Sequence, residues 1–103
     1  GLMADCKLLD HVKIPENINR IPNSMFVGCT SLKKVELHEN LSEIGERAFF
    51  GCSSLDFLII PDSVQQIGQD AFTNTDKQFI IQCSFGSYAE EYARKNKFKY
   101  QLV

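Results

Sequence analysis

The sequence predicts an α/β solenoid, in which short strands and irregular turns recur along the chain and a helical segment closes the C-terminal end. Three observations lead to this prediction: cysteines recur at a fixed interval, apolar residues recur with them, and the C-terminal stretch departs from the pattern. A period of roughly 20–50 residues is typical of stacked repeats, because one repeat alone cannot bury its apolar side chains.

The repeat is 23 residues long, the interval that separates Cys6 from Cys29 and Cys29 from Cys52. A shift by this interval aligns eight columns of apolar or small residues over three consecutive repeats. Four of the columns are Leu9, Leu32 and Leu55; Ile14, Leu37 and Ile60; Ile21, Ile44 and Ile67; and Phe26, Phe49 and Phe72. We expect these columns to form one continuous core.

Each repeat contains one segment with the pattern of a half-buried strand. In 32–37 the apolar Val35 and Leu37 alternate with charged residues, and 55–60 takes the same place one repeat later. Pro61 then ends the strand without removing a donor from its middle.

A corner and a turn follow each strand. Gly45 and Gly68 share the corner column with Pro22, so we expect no positive φ at this position. The stretch 46–52 is predicted to be a short helical or 3₁₀ turn that places Phe49 inside.

The C-terminal segment is predicted to be a cap over the open end of the stack. An amphipathic helix is expected at 87–96 with Ser87 as its N-cap, and a closing strand at 98–102. The N-terminus is expected to lie inside a partial repeat of a longer array, and the C-terminus to be natural. The predicted division is 1–83 for the repeats, with units beginning near 6, 29 and 52 and a last strand at 79–83, and 84–103 for the cap.

Two strings carry a family resemblance: Ile-Gly-x-x-Ala-Phe-x-x-Cys-Ser-Ser-Leu at 44–55 and Ile-Ile-Pro-Asp-Ser-Val-x-x-Ile-Gly-x-x-Ala-Phe at 59–72. They closely resemble BspA-like leucine-rich repeats, and the resemblance covers about residues 3 to 83. It implies a right-handed solenoid with a parallel sheet along one face. It also implies a cell-surface or secreted protein that acts in adhesion and protein binding.

Residues that could support chemistry are better explained as structural. The cysteine column, continued by Thr75, predicts buried free thiols, with a disulfide between neighbouring repeats as the alternative. Cys83 falls in a core column, and no Cys-x-x-Cys pair suggests a metal site. His11 and His38 are expected at the surface or at corners. Since no nucleophile, base and orienting group can be assembled, we expect no enzyme activity, no cofactor and no metal.

Composition and charge narrow the class of partner. A net charge of −2 gives no reason to expect nucleic acid, and the longest apolar run, 57–60, is far too short for membrane insertion. Residues 1–15 contain no secretory signal. The basic cluster Arg94, Lys95, Lys97 and Lys99 leaves a nucleic-acid or heparin patch as a weaker alternative.

Binding is expected on the outward side of the strands, because outward residues alternate with the core columns. The two predicted outward columns are His11, Lys34, Phe57 and Ile80, and Lys13, Glu36, Ile59 and Gln82. The first half of this face is charged, with Lys13 beside Glu36 as an expected exposed ion pair. The second half is expected to be an exposed apolar patch formed by Phe57, Ile59 and Ile80.

The function predicted from sequence is a non-catalytic protein-binding or adhesion module whose partner is a protein, such as a host or extracellular-matrix protein. Self-association through the apolar patch, or its cover by the C-terminal segment, remains open. The second functional hypothesis is a structural one, in which these repeats are the spacer and C-terminal cap of a longer array that binds ligands elsewhere.

Overall fold

The computed structural model describes residues 3–103, so Gly1 and Leu2, which belong to the predicted partial first repeat, lie outside the described residues. In chain order the elements are β1 (His11–Lys13), β2 (Arg20–Ile21), β3 (Lys34–Glu36), β4 (Glu43–Ile44), β5 (Phe57–Ile59), β6 (Gln66–Ile67), β7 (Ile80–Cys83), α1 (Tyr88–Lys95) and β8 (Lys99–Leu102).

The strands stack in parallel, with each residue opposite its equivalent in the next repeat. One side of the coil carries the continuous ladder β2-β4-β6, in which Ile21 lies opposite Ile44 and Ile44 opposite Ile67. The other strand side carries two ladders, β1-β3 and β5-β7-β8. The predicted parallel-strand solenoid is therefore confirmed, although each strand is shorter than its sequence pattern suggested.

The third side of the coil consists of turns, and backbone hydrogen bonds join each turn to the equivalent turn of the next repeat. The Phe26 N–H donates to the Ala48 carbonyl at 2.8 Å, and the Phe49 N–H donates to the Ala71 carbonyl at 2.9 Å. The expected helical or 3₁₀ turn at 46–52 is wrong, because Arg47 and Gly51 adopt φ of 56° and 78°. Left-handed residues interrupt a right-handed helix, so the segment forms a series of irregular turns.

Glycine is required at the corner by close approach and not by positive φ. A Cβ on Gly45 would lie 2.7 Å from the Ile21 carbonyl oxygen, and one on Gly68 would collide with the Glu46 backbone. Neither glycine is in the left-handed region, as Pro22 in the same column indicated. Small residues here allow successive coils to approach closely enough for the Gly45 N–H to donate to the Ile21 carbonyl.

A stack of phenylalanine rings runs through the core. The ring centroids of Phe26 and Phe49 are 5.4 Å apart, and those of Phe49 and Phe72 are 5.7 Å apart, with nearly parallel planes. All three side chains are buried. Phe98 of the cap meets Phe72 edge-on at 6.1 Å, so the aromatic core continues into the C-terminal segment.

The cap is a short helix whose first turn is held by reciprocal bonds. The Ser87 hydroxyl accepts from the Glu90 N–H, and the Glu90 carboxylate accepts from the Gly86 N–H at 2.7 Å. This arrangement resembles a capping box and provides a partner for the buried carboxylate of Glu90. The Tyr88 hydroxyl accepts from the Ile67 N–H at 3.2 Å, so the cap satisfies a donor at the edge of the β2-β4-β6 ladder.

All four cysteines are free thiols, and three of them are buried. The Cys29 Sγ donates to the Met3 carbonyl at 3.0 Å, and the Cys52 Sγ donates to the Phe26 carbonyl at 3.1 Å. Burial raises the pKa of the Cys52 thiol to about 12. The Cys29 and Cys52 thiols therefore bond one turn of the coil to the next, and the disulfide alternative is not realised.

The Phe49→Ala substitution should lower the free energy of unfolding by roughly 3–5 kcal/mol, because it leaves a cavity in the middle of the ring stack. Phe57→Ala should cost less, since Phe57 lies on the outward side of β5 and is only half-buried. Denaturant titration of both variants measures the difference. Equal losses would mean that Phe57 packs as deeply as Phe49.

The folded chain should expose one thiol to a water-soluble disulfide reagent. At about pH 8 we expect Cys6, which is half-buried, to react first, while the buried cysteines react only after denaturation. Rapid reaction of several thiols without denaturant would contradict the observed burial.

The free energy of unfolding should fall as pH rises from 9.0 towards about 12. The raised pKa keeps the Cys52 thiol protonated in the folded chain, whereas the thiol of the unfolded chain ionises over this range.

Candidate binding face on the strand side

The strand face consists of the outward side chains of β1, β3, β5 and β7, and the structure places all eight predicted binding residues on it. Within the ladders, His11 lies opposite Lys34 and Lys13 opposite Glu36, and Phe57 lies opposite Ile80 and Ile59 opposite Gln82. The strand pattern therefore located this face, because inward and outward residues alternate strictly along each strand.

The charged half of the strand face is organised by a diagonal contact. The His11 Nε2 lies 2.7 Å from the Glu36 Oε2, and this hydrogen bond lowers the pKa of the Glu36 carboxyl. The expected pair between Lys13 and Glu36 is wrong: the ring of His11 takes the carboxylate. An exposed ion pair contributes little stability. It would not offset the conformational entropy that the flexible Lys13 side chain would lose if it were held in one geometry.

The apolar half of the strand face is narrower than expected. Ile59 is 51% exposed, whereas Phe57 and Ile80 are half-buried. Of the three residues of the predicted exposed patch, Ile59 is therefore the most exposed, and the other two are only partly accessible. Phe57 and Ile80 lie side by side in neighbouring strands and cover part of each other's surface, since directly opposite side chains in a ladder are in contact.

Strand β8 extends the face in a way that the sequence interpretation missed. It pairs in parallel with β7, so that Lys99 lies opposite Ile80 and Gln101 opposite Gln82. The Gln82 Nε2 donates to the Gln101 Oε1 at 2.8 Å. The alternation of Phe98, Tyr100 and Leu102 predicted a strand, but it did not indicate which neighbour that strand would join.

The backbone ladder of the strand face is interrupted between β3 and β5. In the neighbouring ladders, the Ile60 N–H donates to the Gln82 carbonyl at 2.9 Å and the Ile80 N–H to the Asp56 carbonyl at 3.0 Å. The equivalent bonds between β3 and β5, from Leu37 and from Phe57, are not formed within the described chain.

A cleft of about 310 Å³ opens at this interruption. The residues that line it are Lys34, Val35, Glu36, Leu37, Glu39, Phe57, Ile59 and Pro61. Four of the eight predicted face residues thus meet at one concavity. This volume lies at the lower end of the roughly 300–1,000 Å³ that small-molecule pockets span, and the cleft has room for a bulky side chain.

The remaining candidates for chemistry are dispersed. The His38 Nε2 lies 2.9 Å from the Pro15 carbonyl, and its Nδ1 accepts from the Asn40 N–H at 3.1 Å, so the ring is used within the turn. Among residues 3–103, no group of three or more histidine, cysteine or acidic residues could hold a metal ion. The basic cluster at 94–99 is exposed, and Lys95 pairs with Glu91.

No helix within 3–103 is both long and apolar enough to cross a membrane.

Parallel ladders with a 23-residue register and a continuous aromatic stack define a repeat protein of the leucine-rich solenoid class. Residues 2–99 match the model of the BspA type leucine-rich repeat region, in six copies. The chain belongs to the BspA-type leucine-rich repeat family.

Two solved structures show the same fold. A leucine-rich cell surface protein from Faecalibacterium prausnitzii A2-165 matches 76% of this chain with 37% identity and a TM-score of 0.70. The T. pallidum leucine-rich repeat protein TpLRR matches 78% of the chain with 26% identity and a TM-score of 0.58. This chain covers only 20% and 48% of those two chains. No curated protein matches the sequence.

Backbone amides at the interruption should exchange faster than their equivalents in intact ladders. We expect the Leu37 N–H to exchange faster than the Ile60 N–H, and the Phe57 N–H faster than the Ile80 N–H, because the first of each pair lacks a bond across the cleft. Hydrogen exchange followed by NMR compares the two pairs directly. Equal protection would show that β3 and β5 are joined by a ladder in solution.

Proposed function

We propose that this chain is a non-catalytic protein-binding and adhesion module of a cell-surface or secreted leucine-rich repeat protein, and that the strand face is its binding surface. The observation that carries the proposal is the concentration of an exposed isoleucine, two half-buried apolar side chains and organised charges on one side of the solenoid. An apolar centre with a polar rim is the usual anatomy of a protein interface.

The cell-surface setting is supported by the family and by the F. prausnitzii neighbour, which is a leucine-rich cell surface protein. A protein partner is supported by the shape of the face, because parallel strands present a broad surface instead of a deep pocket. A non-catalytic role is supported by the dispersion of the histidines and by the bonds that the Cys29 and Cys52 thiols donate to backbone carbonyls. Host and extracellular-matrix proteins are the proposed partners.

The spacer-and-cap hypothesis is the second candidate. The phenylalanine stack and the bond between α1 and β6 favour it, because the C-terminal segment packs on the core of the neighbouring coil. In that case the strand face contributes little, and recognition lies in repeats outside this chain.

The double variant Phe57→Glu, Ile59→Lys should abolish binding to any protein that the wild type captures from a panel of purified extracellular-matrix and cell-surface proteins. The change places charges in the apolar centre of the face without altering net charge. Surface plasmon resonance measures binding, and circular dichroism and thermal melting verify that the variant is folded.

The matched control is Gln65→Glu, Gln69→Lys, which makes the same charge change at exposed positions outside the strand face. It should bind as the wild type does. Binding that survives in a folded Phe57→Glu, Ile59→Lys variant would move the site to another surface. A wild type that captures none of the panel would favour the spacer-and-cap hypothesis.

A further inference from the structure

The interruption between β3 and β5 is specific to one place in the solenoid. Inter-repeat bonds are formed on the other sides of the coil at this level: the Gln65 N–H donates to the Ser42 carbonyl, and the Gly51 N–H to the Thr73 carbonyl. The coils therefore remain bonded to each other on the other sides, while β3 and β5 do not pair at the strand face. A surface cleft lies at this point of the strand face.

The cleft is chemically asymmetric. Val35 is buried at its floor, and the side chains of Phe57 and Ile59 form one apolar wall. Lys34 lies at the beginning of β3, whereas Glu36 and Glu39 lie at and beyond its end. An occupant that follows the strand direction thus meets an apolar surface in the middle and negative charge towards one end.

Glu39 is the acidic group that is available to a partner. The Glu36 carboxylate is already bonded to His11, while Glu39 is exposed and forms no ion pair or side-chain hydrogen bond within the described residues. Glu39 also belongs to an acidic column, because Glu16 and Asp62 occupy the equivalent positions in the adjoining repeats and are exposed too. The local charge at this edge therefore favours a cationic group.

We propose that the cleft between β3 and β5 binds an extended segment of the partner protein that inserts one bulky apolar side chain and pairs a lysine or arginine with Glu39. Residues two apart in an extended segment project to the same side and are about 7 Å apart, so an apolar residue in the cleft places its second neighbour within reach of the acidic edge. The inference rests on the proposed function and names the chemistry of the partner.

The probe is a set of blocked heptapeptides. The first has the sequence Gly-Ser-Leu-Ser-Arg-Ser-Gly, the second replaces arginine by glutamate, and the third replaces leucine by serine. Each is titrated at millimolar concentration into ¹⁵N-labelled protein. The leucine–arginine peptide should shift the amide signals of Leu37, Glu39 and Phe57, and it should bind about 5-fold more tightly than the glutamate peptide, the upper range for one exposed ion pair.

Two charge-reversal variants separate the cleft from general attraction. Glu39→Lys should remove or reverse the preference for arginine over glutamate. Glu16→Lys makes the same change in net charge in the same column one repeat earlier, outside the cleft, and should weaken the preference much less than Glu39→Lys does. Ile59→Ser should weaken the binding of every peptide that contains leucine, because it removes the exposed part of the apolar wall.

The proposal would be overturned if the leucine–arginine peptide shifted no amide signals of residues in the cleft. Equal effects of Glu39→Lys and Glu16→Lys would overturn it as well, since only net charge would then matter. Failure of the proposed function gives a different result. If the strand face were not the binding surface, a folded Phe57→Glu, Ile59→Lys variant would still capture the same proteins as the wild type.

Discussion

The close stacking of successive coils is the constraint on which the rest of the structure depends. Coils meet at van der Waals distance at Gly45 and Gly68, where any larger side chain would strike the preceding backbone. That approach brings the backbone donors of one coil to the carbonyls of the next and places Phe26, Phe49 and Phe72 in one stack. The core is therefore a property of neighbouring repeats together, since no repeat encloses its own phenylalanine.

The same stacking determines what the surface can present. Because outward residues of adjacent strands must lie side by side, a residue at one repeat position always has a neighbour of the same column. The hydrogen-bonded pair of His11 and Glu36 and the apolar residues Phe57 and Ile59 thus lie on the same side of the solenoid. The local loss of the ladder between β3 and β5 is tolerated because the turns and the β2-β4-β6 ladder hold the coils together at that level.

The cap follows a different physical rule from the repeats. A helix satisfies its own backbone groups, so it can cover the last coil without a further repeat beyond it. Ser87 and Glu90 supply bonds to the first turn, and the Tyr88 hydroxyl accepts a backbone donor from the last coil of the β2-β4-β6 ladder. Strand β8 then joins β7 and lengthens the strand face by one strand, which adds Lys99 and Gln101 to its edge.

The sequence by itself determined the period, the core columns, the inward and outward sides of each strand and the helix with its Ser87 cap, because each depends on spacing along the chain. It did not determine the turns at 46–52, the partner of Glu36 or the pairing of β8. These depend on φ at individual residues, on which of two flexible side chains reaches a carboxylate, and on packing between distant segments. The cleft is likewise a tertiary feature: 34–36 and 57–59 have the same strand pattern as their neighbours, and only the folded chain shows that these two strands do not pair.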